Sequence, residues 1–212
     1  DIEEQTMKIY ETTGFPNPAR IRIALAEKGA TDQVDFVEVD VMAGEHRSPA
    51  FLKKNPNGAV PVLELSDGTA IAECTAITEY IDHAFEGPSL TGRSAVERAT
   101  IHMLQRRAEQ NLLDAVGGYF HHATPGLGPQ LETSQNPAWG EAQKDRAITG
   151  MHYFDDVLKN GTYVAGDQFS MADITVFAGL AFADFANVEI PAECEHLLAW
   201  RDRVSQRPSC AA

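Results

Sequence analysis

The chain has 212 residues, 43% hydrophobic and 23% charged, an ordinary globular make-up long enough to bury a core in one large domain or two small ones. Its formal net charge of -14 argues against a nucleic-acid or anionic-membrane partner, because either would need a basic face. The same acidity requires local positive charge wherever an anionic small ligand is to bind. Three cysteines, Cys74, Cys194 and Cys210, are too few and too scattered for a disulfide framework. No two have metal-ligand spacing, so the cysteine usage points to a reducing compartment, the cytoplasm. The six residues before Met7 are polar, read as an extension, and lack the apolar core of a signal peptide. The most apolar stretch, 171–186, contains Asp173 and Asp184 and is shorter than the ~20 residues of a membrane span, so it reads as a buried helix.

Taken in chain order, the first 85 residues mix short strand-like and helical runs. Lys8, Ile9 and Tyr10 predict a strand. Residues 18–28 predict a helix, with Asn17 as N-cap, Pro18 at the first helical position and Gly29 just past the end. The alternation over 34–41, with Val37, Val39 and Val41 on one face, predicts a second strand. Residues 62–65 and 69–72 flank Ser66, Asp67 and Gly68 and predict a hairpin. A helix carrying Ile77, Tyr80, Ile81 and Ala84 on one side closes this half.

Gly87, Pro88 and Ser89 form a breaker cluster, which sets a linker at 87–93 between a domain at 7–86 and one at 94–212. Beyond it the pattern is helical. Val96, Ala99, Met103, Leu104, Ala108, Leu112, Val116 and Phe120 keep three-to-four spacing along one long helix. A Gly/Pro-rich loop at 124–137 precedes a helix around Ile148, Met151, Phe154, Val157 and Leu158. Ser170 and Asp173 form a capping box, with Phe169 placed to staple onto Ile174. A last helix covers roughly 192–204. His121 and His122 lack carboxylates or cysteines at useful spacing, so no metal site is expected.

Several segments narrow the choice of fold. Gly44, Glu45, His46, Arg47, Ser48, Pro49, Ala50, Phe51 and Leu52 lead into Asn55, Pro56, Asn57, Gly58, Ala59, Val60, Pro61, Val62 and Leu63. Asp67 and Gly68, Glu73 and Cys74, Ala76 and Ile77, then Tyr80 and Ile81 follow. From Met7 to Pro208 this ordered set resembles the glutathione transferase superfamily, of bacterial type. That family carries an N-P-x-G-x-V-P segment, a D-G…E-S-x-A-I-x-x-Y-L segment and a C-terminal S-x-x-D staple. The resemblance implies an α+β fold, a thioredoxin-like glutathione-binding domain with a four-stranded mixed sheet, then an all-α helical bundle.

It also implies roles. The Val60–Pro61 bond should be cis and the Val60 main chain should pair with glutathione's cysteinyl unit as an added strand would. Glu73 and Cys74 should receive the γ-glutamyl end, an acid and a donor at a helix start. The family pattern has Ser where this chain has Cys74, and a thiol is the weaker donor. Cys74 reads either as a small buried filler or as a thiol activated by the helix terminus. His46 and Arg47 match the positions that hold the glycine carboxylate. Lys53 and Lys54 read as a solvated helix face.

At the catalytic position the match departs. Family enzymes stabilise the glutathione thiolate with a Tyr, Ser or Cys ahead of the first helix, and the register puts Phe15 there, which cannot donate. The role passes to Asn17 or Thr13, with Thr12 nearby. Asn17 reads equally as a plain helix cap, and Arg20 as a surface residue or as added positive potential. The second substrate, a small hydrophobic electrophile or a peroxide, is expected in a cleft lined by Phe15, Arg107, Tyr119 and Phe120. The resemblance therefore implies a glutathione transferase with no cofactor beyond glutathione as substrate, a role in detoxification, and the family habit of homodimers. Two alternatives stand beside it: glutathione-dependent disulfide or peroxide reduction, and a non-catalytic glutathione-binding module. The isomerase branch is disfavoured because its Ser-Ser-Cys segment is missing.

Overall fold

The computed structural model describes residues 7–211, and the expected N-terminal extension lies outside them. The chain divides into two compact units, the first ending at Pro88 and the second beginning at Ser89.

The first unit is a four-stranded mixed sheet, order β2-β1-β3-β4, with helices. β1 (Met7–Glu11) runs parallel to β2 (Val34–Glu38) and antiparallel to β3 (Val62–Glu64), which pairs antiparallel with β4 (Ala70–Ala72). Ile9 faces both Phe36 and Leu63 across the sheet. The turn between β3 and β4 closes where the sequence signals it, with Gly68 at a φ of 86° and the Asp67 carboxylate accepting from the Thr69 amide at 2.8 Å. α1 (Pro16–Glu27), the short α2 (Pro49–Leu52) and α3 (Cys74–Ala84) complete the unit. α1 packs on α3, and Ile21, Leu25, Ile77 and Ile81 join Ile9 and Leu63 in the core.

α1 begins two residues earlier than its sequence predicts. Phe15, not Asn17, is the N-cap, in extended conformation and with no side-chain cap bond, and the Ala19 amide donates to its carbonyl at 3.0 Å. The reason is the spacing of Pro16 and Pro18. Both have the φ a first turn needs, and neither has an N–H, so fewer amides require a cap. At the other end Lys28 is buried against Asp82: its ammonium donates to the Asp82 carboxylate at 3.0 Å and to the Asp82 and Pro88 carbonyls at 3.1 Å. That clamp fixes the exit of the chain from α3.

The second unit is all helix. α4 (Ala95–Ala108) opens with a Ser94–Glu97 capping box and passes through a π-turn (Glu109–Leu113) into α5 (Asp114–Ala123). α6 (Pro137–Leu158), α7 (Met171–Phe185) and α8 (Glu195–Ser205) follow. The long apolar stripe read from the sequence is only partly buried. Leu104, Ala108, Leu112 and Val116 are inside, but Val96 is 75% and Met103 46% exposed. α4 turns Ile101, Leu104, Gln105 and Ala108 inward, and the π-turn resets the register before α5. Two glycines make room for that turn. A Cβ at Gly150 of α6 would run into the Asn111 carbonyl oxygen, and one at Gly179 of α7 would lie 2.9 Å from the Leu112 side chain. α6 extends well N-terminal of its apolar signal because Asn136 caps it, accepting from the Trp139 amide at 3.1 Å, and Pro137 takes the first position.

α7 starts at the expected box. The buried Asp173 carboxylate accepts from the Val164 amide at 2.9 Å, from the Ser170 amide and hydroxyl at 3.0 Å each, and from the Trp200 indole at 3.1 Å. One side chain thus joins the preceding loop, α7 and α8.

Candidate functional site

The predicted glutathione-binding residues lie in the first unit, on the turn 45–47, the loop 57–61 and the start of α3, with hydrogen bonds joining Asn57 to Glu73 and Cys74 to Asn17. His46 is buried in the turn Glu45–Arg47 and its Nδ1 has no hydrogen-bond partner. Burial, and secondarily the neighbouring Arg47, push the His46 pKa down, so the ring is a neutral donor or acceptor at neutral pH. Arg47 itself is exposed. The His46 carbonyl lies 3.2 Å from where a Cβ on Gly58 would be, and Gly58 has a φ of 58°, so only glycine fits this crossing without strain. Asn57 then donates to the Glu73 carboxylate at 3.4 Å.

Val60 lies in that loop, half-buried, and its bond to Pro61 is cis. Among the described residues its amide and carbonyl make no main-chain hydrogen bond outside the named strands. Glu73 is exposed and caps α3 with a φ of 71°, a left-handed conformation that non-glycine residues adopt only at a cost, and its side chain makes no cap bond. Cys74 is the first residue of α3, 6% exposed. Its thiol donates to the Asn17 carbonyl at 3.4 Å and lies 3.7 Å from Asn17 Oδ1. Asn17 also accepts from Arg20 Nη1 at 2.9 Å, and Arg20 is only 4% exposed. The starts of α1 and α3 therefore meet at Cys74 and Asn17, with a buried cation on one side.

Other candidates fall outside these segments. The Thr13 hydroxyl donates to Glu38 at 2.8 Å, its amide donates to the same carboxylate, and the Thr12 hydroxyl donates to the Val39 carbonyl at 2.8 Å. Both hydroxyls are committed to β2 and the residue after it. Lys54 is not a solvated helix residue: its ammonium is paired with Glu64 and lies 4.6 Å from the Tyr10 ring centre. The Glu64 hydrogen bond raises its pKa against the opposing effect of burial.

In the second unit, the candidates for the electrophile have separate neighbours. Arg107 donates to the Tyr153 hydroxyl at 2.6 Å, and the Lys144 ammonium sits 5.1 Å above the Tyr119 ring. Phe120 instead joins an aromatic group with His121, Phe182 and Phe185, at centroid distances of 5.0, 5.4 and 5.7 Å. Phe185 is 70% exposed. Phe15, the fourth candidate, is the half-buried cap of α1 in the first unit. The fold also supplies His121 with the carboxylate its sequence neighbours lack: Glu132 lies 2.6 Å from Nδ1 and ties down the loop after α5. Among the described residues, no group of three or more His, Cys, Asp or Glu side chains could hold a metal ion.

Two family models match this chain: the glutathione S-transferase N-terminal domain over residues 16–84 and the C-terminal domain over 131–208. Glutathione S-transferase 2 of Saccharomyces cerevisiae is 59% identical over 97% of this chain and 88% of its own length. The chain belongs to the glutathione S-transferase family. It is an enzyme of that family rather than a non-catalytic relative. A crystal structure of a glutathione S-transferase domain-containing protein from Marinobacter aquaeolei is 62% identical, with a TM-score of 0.95 over 96% of this chain and 99% of that one. The crystal structure of Gtt2 from S. cerevisiae is 58% identical, with a TM-score of 0.94 over 96% and 98% of the two chains. The transferase holds three details that sequence reasoning missed. Asn57 and Gly58 lie among the site residues, and Arg20 is a buried residue that reaches Asn17. A signal for Gly58 was present in the N-P-x-G segment. None announced the burial of Arg20, which depends on how α1 packs.

Proposed function

We propose that this transferase binds glutathione along the turn, loop and helix starts from His46 to Asn17, lowers the pKa of its thiol and passes the thiolate to a small hydrophobic electrophile. The observation that carries the reading is the meeting of two helix starts at Cys74 and Asn17. The dipole of α1 favours an anion at its start, where Pro16 and Pro18 leave the Asn17 amide, and no acidic residue in the first turn cancels that potential. Arg20 is buried beside Asn17 and donates to its side chain. A thiol with an ordinary pKa of about 8.5 needs roughly 2 kcal/mol of thiolate stabilisation to be half ionised at pH 7. A helix terminus and one hydrogen bond to a charged group together supply that amount.

Phe15 has no donor, so the hydrogen bond must come from elsewhere, and Asn17 is the better placed of the two catalytic candidates because the Thr13 hydroxyl is occupied by Glu38. The γ-glutamyl end of the ligand goes to Glu73 and the Cys74 amide, the cysteinyl main chain to Val60, and the glycine carboxylate to His46 and Arg47. Phe15, Arg107, Tyr119 and Phe120 are the residues for the electrophile. The exposed Val96 and Met103 of α4 support assembly as a homodimer, and the free cysteines support a cytoplasmic setting, where conjugation would serve detoxification.

The decisive experiment titrates the protein with glutathione while thiolate absorbance is followed, then assays conjugation of a chloronitrobenzene. Binding with a depressed thiol pKa and turnover is expected. Binding with an ordinary thiol pKa and no turnover would sink the proposal.

A further inference from the structure

We infer that Arg20 and Cys74 act together as positioning residues that lock the side-chain amide of Asn17 with its NH2 group turned toward the glutathione sulfur. This inference rests on the proposed site. It gives Cys74 a role as a donor and accommodates the absence of one at Phe15.

The argument follows from donor and acceptor inventories. A guanidinium has only donors, so the Arg20 contact at 2.9 Å must end on an acceptor of Asn17, which is Oδ1. The Cys74 sulfur lies 3.4 Å from the Asn17 main-chain carbonyl, which can only accept, so its single S–H is given to that carbonyl and anchors the Asn17 backbone, with Oδ1 farther off at 3.7 Å. The guanidinium fixes Oδ1 and the thiol fixes the main chain that carries it. A flipped amide would set NH2 against a guanidinium N–H, donor against donor. Nδ2 is therefore fixed on the opposite side, and among the described residues it makes no hydrogen bond.

A half-buried amide with its two donors uncommitted, one residue into α1, suits a developing thiolate. Phe15 at the preceding cap contributes no competing hydroxyl. The thiol of Cys74, in this view, is a structural donor and not a redox centre.

The test is the pH profile of conjugation at saturating electrophile in the wild type, Arg20→Met, Asn17→Ala, the double variant and Arg20→Lys. Arg20→Met should move the profile to higher pH and lower neutral-pH kcat on the order of tenfold, as expected for one misplaced charge-assisted hydrogen bond, with KM for glutathione nearly unchanged. The double variant should be no worse than Asn17→Ala, because Arg20 works through Asn17. Arg20→Lys, which keeps a donor, should recover part of the rate. Should Arg20→Met not fold, Cys74→Val against Cys74→Ser carries the same comparison: serine retains the donor and the profile, valine shifts it.

Losses that add in the double variant, or an unmoved profile in Arg20→Met or Cys74→Val, overturn the positioning role while leaving the proposed function intact. A wild type that binds glutathione without depressing its thiol pKa brings down both together.

Discussion

Two helix starts in this chain are built in opposite ways. At α7 every nearby donor is answered from within. The Asp173 carboxylate takes four hydrogen bonds from Val164, Ser170 and Trp200 in complete burial. At α3 the cap is Glu73, exposed, in a left-handed backbone conformation and making no cap bond. One terminus is closed on itself and holds the second unit together. The other has an exposed cap whose carboxylate accepts from Asn57, and it holds Glu73 at a backbone cost.

Substitutions can break this contrast. The largest effect is expected from Asp173→Ala, which strands four buried donors and should cost about 3–5 kcal/mol of unfolding free energy, read by chemical denaturation. Next comes its pH dependence. Burial pushes the Asp173 carboxyl from 3.8 up to about 6 against the hydrogen bonds that favour its charged form. A carboxyl raised in the folded state binds its proton more tightly there. Its contribution is complete below pH 3.8 and is lost as pH rises through 6, by up to about 3 kcal/mol. Stability measured against Asp173→Asn should show that decline between pH 4 and 6, and a flat difference would contradict it.

At α3 the signs separate. Glu73→Ala and Glu73→Gly should both weaken glutathione binding by roughly 1.5–3 kcal/mol in calorimetry. Glu73→Gly alone relieves the backbone and should raise unfolding free energy by up to about 1 kcal/mol. Asn17→Ala does not remove the cap of α1 but strips the buried Arg20 of an acceptor, so it should cost about 1–3 kcal/mol while neutral-pH turnover drops.

Features set by neighbours in sequence were legible from the residues. The Ser170 and Asp173 box, the Gly68 turn, the Gly29 stop and the strand at Ile9 are local chemistry, and each appears in the fold. The start of α1 was misread because Asn17 is a good cap by type, whereas two prolines had already removed amides that a cap would serve. Contacts made by packing left no local mark. Arg20 reads in sequence as either a surface cation or added positive potential, and only α1 folded against its neighbours buries it beside Asn17. His121 likewise gains Glu132 from a loop whose path no spacing rule gives. Cys74 was legible as a departure from a pattern, but its partner was not.

The π-turn at Glu109–Leu113 has a consequence for altering this transferase. It adds a residue to one helical turn, so the faces of α5 are rotated by about 100° from those a straight continuation of α4 would present. Tyr119 and Phe120 owe their directions to that offset, one reaching Lys144 and the other Phe182. Deleting a single residue there would swing both rings to new bearings with no change in their identity, making chain length at this point a control on ring direction that no residue-by-residue swap can imitate.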